Sequence, residues 1–511
     1  MASLKNETEK VPFEVALDRT GFGLYNCFHT LTSGLAIVSF GVVAFSSTVV
    51  VPASACELGT TRAQQGVLAA APVIGSILGA FAWGYLGDTR GRRRMLVLSL
   101  SLALVFNTLA SLAVNWIMLM LLQFTATFMS CGKYTLSMTL LSECVPRARR
   151  SQAVLVVASV YLLTQGIMAA IAIPIIPLTF SYPLPFLGIT WTSWRLLLLA
   201  YSVPSALCLP CVLMLQESPK YLLLRGEEGQ ALDVLRAIYR ANHRGCAGGE
   251  EFDVKRVLAE KDTAGEQKSK RDQIVPLFRA PLIKYTIIMA ALFVFQQVGS
   301  FVIWLPRIAN QYVNIVQSGD GANKTLCGII RTAITTPPNP DAAPCSLNVP
   351  SLVIVIAVCV FQSTVNLIIS LVVNRTGRRN MVIFGTSAVG LCGVVTNLVP
   401  NAYGSGVLFV CFCLGILAHG LYTAMAVALF PTSVRAMAVS LVLAAGRMGV
   451  FAAVQILNLL LHSHCEAGFY VFATLFASSA IVALFLPDDR MLMKASAPGK
   501  NEDTEKEQSK L

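Results

Sequence analysis

Long apolar runs, each about the length of a membrane crossing and almost free of charge, recur along the chain between short polar and often basic stretches. A helix needs about 20 apolar residues to cross the hydrocarbon of a bilayer. The pattern predicts such helices over residues 27–51, 64–87, 94–114, 117–142, 152–178 and 194–215. A hydrophilic stretch follows, and then come helices over 284–305, 350–373, 380–399, 404–429, 436–461 and 467–486. The expectation is an all-α membrane protein with twelve transmembrane helices in two six-helix halves. Its parts are an N-terminal segment (1–26), a first half (27–215), a central loop with amphipathic helices (216–283), a second half (284–486) and a tail (487–511). Six plus six around a central loop is the layout of a transporter built from two repeats.

Composition removes the soluble alternative. Of the 511 residues 55% are hydrophobic and 13% charged, against roughly 25% charged in an ordinary soluble domain. The basic residues also set an orientation. Arg90, Arg92, Arg93 and Arg94 lie between predicted helices 2 and 3, Arg147, Arg149 and Arg150 follow helix 4, and Arg375, Arg378 and Arg379 follow helix 8. Arg435 follows helix 10, and the central loop and both tails are rich in Lys and Arg. The opposite connections carry few: Arg62, and then Arg307, Lys324 and Arg331 in the long loop 307–349. Both termini are therefore expected in the cytoplasm. The net charge of +12 reads as this inside bias and not as nucleic-acid binding. The polar N-terminus predicts no cleavable signal peptide, so the first helix serves as the membrane address.

This topology sorts the modification signals. The sequons at Asn6 and Asn374 fall on the cytoplasmic side, which leaves Asn323-Lys324-Thr325 in the luminal or extracellular loop as the glycosylation site. Most of the 14 cysteines lie inside helices, where they read as small apolar residues. Cys56, Cys327, Cys345 and Cys465 are luminal and allow three pairings. The shared loop favours Cys327 with Cys345. No metal-site spacing is present, and no cofactor is expected.

The sharpest motif closes helix 2: Gly84-Tyr-Leu-Gly-Asp88-Thr-Arg-Gly91-Arg92-Arg93-Arg94. Glycines allow close helix approach and a tight turn, and an Asp at a helix end meets a basic partner or a neighbouring helix N-terminus. Such a charge cluster, made in one conformation and broken in the other, biases a two-state equilibrium. The second half repeats it without the acid, as Asn374-Arg-Thr-Gly377-Arg378-Arg379. Likewise Glu143-Cys-Val-Pro146 with Arg150 after helix 4 is answered by Ala428-Leu-Phe-Pro431 with Arg435 after helix 10. The chain thus carries an internal duplication whose acids survive in the first half only. Gly84, Asp88, Gly91, Arg92, Glu143, Arg150, Gly377, Arg378 and Arg435 are the expected gating residues.

The helix 2 motif is similar to the loop signature of the major facilitator superfamily. Further stretches resemble the organic-ion transporters and the synaptic vesicle glycoprotein 2 group within it: Ser193-Trp194-Arg195, Glu217-Ser218-Pro219-Lys220-Tyr221-Leu222, Gly229-Gln-Ala-Leu232 and Phe430-Pro431-Thr432. Gly21-Phe22-Gly23, Trp304-Leu305-Pro306 and Leu486-Pro487-Asp488-Asp489-Arg490 agree as well, so the likeness spans nearly the whole chain. It reads as an invertebrate-style relative of that group. The resemblance implies the major facilitator fold, alternating access and a plasma, secretory or synaptic vesicle membrane.

Departures from the resemblance bear on mechanism. Where that group has acids in helix 1 this chain has Ser39-Phe40-Gly41-Val42-Val43, and where proton-coupled members keep an Arg early in helix 4 it has Gln123. No Asp or Glu lies deep in any predicted helix. Buried carboxylates are the usual proton carriers and cation partners inside a membrane, so carboxylate-based proton coupling and tight organic-cation binding are disfavoured. The intramembrane ionisable groups are Arg447 in helix 11, Lys133 in helix 4 and His419 in helix 10. Their expected role is to hold an anionic group, with Gln296, Gln297, Trp304 and Asn366 around them; the alternative is a structural post bonded to backbone carbonyls. Gln165 and Gln455 are further neutral hydrogen-bonding groups.

Two functions follow. One is a monomeric carrier or facilitator for a small organic solute, anionic or neutral. The other is a transporter-like glycoprotein that acts mainly through vesicle or membrane protein partners. An enzyme is disfavoured, since no phosphate-cradling Gly loop and no nucleophile beside a base is present.

Overall fold

The computed structural model describes residues 11–186, 188–243, 252–258, 275–280, 282–296, 298–317, 319, 323–335, 348–430 and 432–487. Two compact units emerge. One comprises residues 1–50 and 74–265, the other 51–73 and 266–511.

In the first unit a short amphipathic helix α1 (Phe13–Arg19) precedes α2 (Leu24–Phe45) and α3 (Ser47–Ser54), whose last residues belong to the second unit. Then come α4 (Arg62–Arg90), whose first residues also belong to the second unit, α5 (Arg92–Ala110), α6 (Trp116–Cys144), α7 (Arg147–Leu162), α8 (Thr164–Ala172) and α9 (Ser193–Met214). Each of the six predicted spans falls on one of these helices or on a consecutive pair. The interruptions were not foreseen. At the α2/α3 joint Ser46 Oγ donates to Val43 O at 2.9 Å and Thr48 Oγ1 to Phe45 O at 2.8 Å, so side chains satisfy carbonyls that the broken helix releases, as a bilayer demands. Phe40, Trp83, Leu100, Leu136, Leu140 and Cys208 form the packed interior.

Hydrogen bonds reinforce that packing, which matters because lipid tails are as apolar as the side chains. Trp83 Nε1 donates to Phe128 O at 2.9 Å. Arg195 is fully buried, donates to Ser111 O at 2.9 Å and Ala113 O at 2.8 Å, and lies 4.3 Å over the Trp194 ring. The Ser-Trp-Arg motif therefore closes the carbonyl end of α5, which a cation stabilises.

Beyond the last span of this unit, α10 (Pro219–Leu224) and α11 (Glu228–Asn242) pack with α1. Phe13, Ala16 and Leu17 meet Tyr221, Leu222, Leu232 and Leu235. Those positions have the i, i+3, i+4 spacing of an apolar helix face.

The second unit contains α12 (Leu282–Phe295), α13 (Val298–Gln317), α14 (Leu326–Thr335), α15 (Val349–Thr376), α16 (Arg378–Val395), α17 (Ala402–Cys413), α18 (Ala418–Leu429), α19 (Thr432–Ser463) and α20 (Cys465–Leu484). Its core is a cluster of rings in which Phe301 meets Phe409, Phe412, Phe469 and Phe472 edge-on or tilted at 4.7–6.4 Å. A 3₁₀ turn at Leu414–Leu417 joins α17 to α18. Gln362 Nε2 donates to Cys413 O at 3.0 Å and Gln296 Nε2 to Ile416 O at 3.1 Å, again covering carbonyls freed by the break. Among the described residues nine helical stretches are long and apolar enough to cross a membrane on length and composition alone. The other three predicted spans coincide with α6, the α12/α13 pair and α16.

The expected disulfide is corrected. Cys327 is bonded to Cys465, with Cα atoms 5.6 Å apart, and not to Cys345, which lies outside the described residues. The reason is steric: α14 is a buried helix whose first turn, with Cys327 N donating to Asn397 Oδ1 at 3.0 Å, lies against the start of α20. Chain separation of 138 residues is no obstacle once the fold brings the two helix ends together. Cys56 is also disulfide-bonded.

Candidate functional site

The gating motif is built around a left-handed turn. Gly91 has φ +101°, and a Cβ there would stand 2.8 Å from Glu217 Oε2. Only glycine fits both constraints. The turn starts α5, whose first amides lack intrahelical partners. Glu217 supplies them: Oε1 accepts from Arg93 N at 2.8 Å and Oε2 from Arg94 N at 3.2 Å. A carboxylate is the favoured partner at a helix N-terminus.

Beside this cap, Arg92 is nearly buried and its guanidinium reaches Glu143, Nε to Oε2 at 3.2 Å and Nη2 to Oε1 at 3.4 Å. The Arg92 guanidinium also lies 5.1 Å over the Tyr221 ring. Ser218 Oγ donates to Glu143 Oε2 and accepts from Tyr221 N. Asp88 lies 3.3 Å from Arg92, but its side chain is 74% exposed, so that pair contributes little beside the sheltered Glu143 contact. The close-approach reading of the motif's first glycine is not met here: a Cβ at Gly84 would find nothing within 4 Å.

Arg150 pairs with Glu14 on α1 and not with the Glu143 cluster. Nη2 lies 2.8 Å from Oε2 and Nη1 3.4 Å from Oε1, while Arg147 Nε approaches Oε2 at 3.1 Å. Burial alone would raise the Glu14 pKa; the hydrogen bonds and charges of Arg150, then Arg147, outweigh it and hold the carboxyl below its ordinary range. Asp18 Oδ1 accepts from Arg147 N at 2.9 Å at the start of α7. Sequence reasoning missed Glu14 and Asp18, although their i, i+4 spacing beside Phe13, Ala16 and Leu17 was the available signal.

The second unit repeats the geometry with different chemistry. Gly377 has φ +81°. Where Arg92 meets a carboxylate, Arg378 Nη1 donates to the backbone carbonyl of Ala424 at 3.1 Å. Arg93 reaches the carbonyl end of α9 through Val212 O at 3.3 Å, and Arg379 reaches Leu484 O, the end of α20, at 2.7 Å. The duplication read in the sequence is thus visible as two matched pairs of arginine contacts. Arg435 sits in α19, and its side chain lies outside the described residues.

Of the candidate binding residues, His419 and Gln296 meet in the second unit. His419 Nδ1 lies 3.2 Å from Gln296 Oε1, and its ring meets Phe293 edge-on at 5.3 Å. His419 is exposed on α18. Arg447 is half-buried on α19, next to Gly446, where a Cβ would stand 3.0 Å from Cβ of the same Phe293. Asn366 is half-buried on α15, and Gln297 lies outside the described residues. Trp304 is buried, with the Arg307 guanidinium 5.4 Å over its ring, and its Nε1 has no hydrogen-bond partner among the described residues. Gln455 Nε2 donates to Gly66 O at 2.9 Å.

Lys133 belongs to the first unit and is fully buried. Its Nζ donates to Ser205 Oγ at 2.8 Å and to Ser39 O at 3.4 Å. Lys133 is therefore enclosed between α2, α6 and α9. It continues a polar face of α6 that sequence reasoning did not assemble: Gln123, Thr127 and Ser130 are all buried, and the Gln123 amide and both hydroxyls have no hydrogen-bond partner among the described residues. Buried polar atoms of this kind are ordinarily met by water or a polar guest. Asn323, at φ 57°, is exposed, and Thr325 Oγ1 accepts from Gly328 N at 3.2 Å.

Comparison with known proteins agrees with this architecture. The Major Facilitator Superfamily profile matches residues 31–331 and 345–509. Synaptic vesicle glycoprotein 2A of Homo sapiens is 26% identical over 257 residues, covering 48% of this chain and 33% of that protein. Synaptic vesicle glycoprotein 2B of Homo sapiens is 25% identical over 236 residues, covering 45% and 34%. The chain thus spans about a third of the length of the curated relatives it matches. Among solved structures, the xylose transporter XylE from E. coli, partially occluded and inward open, superimposes with a TM-score of 0.63 at 16% identity over 91% of this chain and 100% of that one. A D-xylose-proton symporter gives 0.64 at 14% identity, over 91% and 99%. The chain is a multi-pass membrane protein of the Major Facilitator Superfamily.

Proposed function

We propose that this protein is a secondary carrier that moves a small organic solute, anionic or neutral, across a membrane by alternating access. The observation that carries the reading is that His419, 3.2 Å from Gln296, and the Gly446-Arg447 stretch of α19 both pack on Phe293 in the second unit, in a chain without a carboxylate deep in any helix. An Arg at membrane depth can grip a carboxylate or sulfonate bidentately. In the first unit, the vacant hydrogen-bonding capacity along α6 beside Lys133 suits a polar guest.

The arginine-rich face is read as cytoplasmic, with both termini on that side and Asn323 glycosylated on the other. Asp88, Arg92, Glu143, Arg150, Gly377, Arg378 and Arg435 then bias the two states from the cytoplasmic face. Synaptic vesicle glycoproteins among the relatives favour a secretory or synaptic vesicle membrane, with the plasma membrane as the alternative.

A second reading, an interaction protein with little transport, is favoured by one observation. Gln123 stands unpartnered where proton-coupled members resemble one another in keeping an Arg, and helix 1 offers Ser39 in place of an acid. Uptake of a mixed panel of organic anions, cations and sugars into expressing cells separates the two. Anion or neutral-solute uptake supports the carrier. No uptake by correctly delivered protein supports the interaction reading, and cation uptake contradicts both the solute class and the cavity chemistry.

A further inference from the structure

A cavity of about 670 Å³ opens on the arginine-rich face of the first unit, lined by Arg90, Arg94, Arg225, Met95, Val97, Leu98 and Ser101. Arg90 ends α4, Arg94 stands in the first turn of α5, and Arg225 closes α10. All three are exposed, and among the described residues none forms an ion pair. They differ in this from their neighbours: Arg92 is matched to Glu143, and Glu217 is occupied by the amides of Arg93 and Arg94. No acidic residue lines the cavity.

Apart from Ser101, the rest of the wall is apolar and follows α5. Met95, Val97 and Leu98 occupy the first two turns, with Leu98 41% exposed, and Leu224 beside Arg225 is 66% exposed. Three arginines on the rim, Arg225 also 5.5 Å over the Tyr221 ring, and aliphatic side chains beside them make an amphipathic site. That arrangement matches a molecule whose charged end carries phosphate and whose other end is a hydrocarbon chain. Guanidiniums bind phosphate through paired donors, and basic clusters beside a spanning helix are attracted to anionic lipid.

We propose that this cavity binds an anionic phospholipid, its phosphorylated headgroup held by Arg90, Arg94 and Arg225 and its acyl chain lying on Val97 and Leu98. The lipid would bridge the ends of α4 and α10 across the start of α5. It thus occupies a site beside the gating turn without displacing any contact of that turn.

The test is a binding titration of the purified full-length chain in detergent with dioctanoyl phosphatidylinositol 4,5-bisphosphate. Its free headgroup, inositol 1,4,5-trisphosphate, and dioctanoyl phosphatidylcholine run beside it. The expected result is saturable binding of the anionic lipid, at least tenfold weaker binding of the free headgroup, and none of the zwitterionic lipid. With all three arginines changed to Gln, affinity should fall roughly a hundredfold, about fivefold for each. If that variant does not fold, Leu98→Ser should remove the advantage of the lipid over its free headgroup. Equal binding of headgroup and lipid would make this a site for soluble phosphates and overturn the proposal. So would phosphatidylcholine binding as tightly, or full affinity retained in either variant.

Discussion

Glu14 and Arg150 face one another as carboxylate and guanidinium, with paired contacts of 2.8 and 3.4 Å that tie the amphipathic α1 to the first turn of α7. The pair joins a segment ahead of the first membrane helix to the start of α7. In a protein that changes conformation, such a strap couples the N-terminal segment to the gating face.

The Glu14 carboxyl sits below its ordinary pKa when folded. A depressed carboxylate stabilises the docked state at pH above the undocked value, near 4.5, and loses that contribution as pH falls through the lower docked value. Hydrogen-exchange protection factors over residues 13–19, referred to the intrinsic rate at each pH, should therefore fall in acid. Glu14→Gln should lower them already at neutral pH, at a cost of about 1–3 kcal/mol in docking. Unchanged exchange in the variant would show that the apolar contacts of Phe13 and Leu17 hold α1 alone.

Two glycines of one motif should behave differently. Gly91→Ala forces a left-handed residue, at about 1–2 kcal/mol, and pushes on Glu217. Gly84→Ala meets nothing within 4 Å and should change stability by no more than about 0.5 kcal/mol. Melting temperatures of the detergent-purified variants decide this, and equal losses would contradict the account.

The duplicated arginines should also differ. Arg92→Ala leaves Glu143 without its ion-pair partner, an expected loss of about 3–5 kcal/mol. Arg378→Ala leaves a carbonyl, an expected loss of about 1 kcal/mol. The same melting assay reads both, and a larger loss at Arg378 would reverse the ranking.

Peptide mapping without reduction should recover Cys327 linked to Cys465. Cys327→Ser and Cys465→Ser should each cost about 2–5 kcal/mol, and the double variant no more than either one, because both remove one bond. A peptide linking Cys327 to Cys345 would overturn the pairing.

The membrane helices were legible because each long apolar run has few alternatives to spanning a bilayer. The breaks within them were not. Ser46, Gln296 and Gln362 take up freed carbonyls only because the fold brings them there, and each looks like an ordinary polar residue in a helix. The repeated Gly-Arg-Arg turns were legible as motif, and their partners followed where an acid stood nearby in the pattern, as with Glu143. Partners drawn from afar were hidden: Glu14 lies more than a hundred residues from Arg150, and Cys465 as far from Cys327. Lys133 and Trp304 were named for residue type alone, and the sequence did not show how deeply packing encloses them. Arg447 and His419 were named for their charge in an apolar helix. The meeting of His419 with Gln296 depended on the 3₁₀ turn, where Gln296 bonds Ile416 O and which no local pattern announced.

The measurement that bears most directly on the carrier reading is uptake by Arg447→Ala and Arg447→Lys beside the parent protein at matched surface expression. The solutes are the members of the organic panel that the parent takes up. Anion uptake should fall at least tenfold in Arg447→Ala and recover in part in Arg447→Lys, which keeps the charge but not the paired donors. Anion uptake unchanged in Arg447→Ala, or a solute that carries positive charge, would contradict that reading.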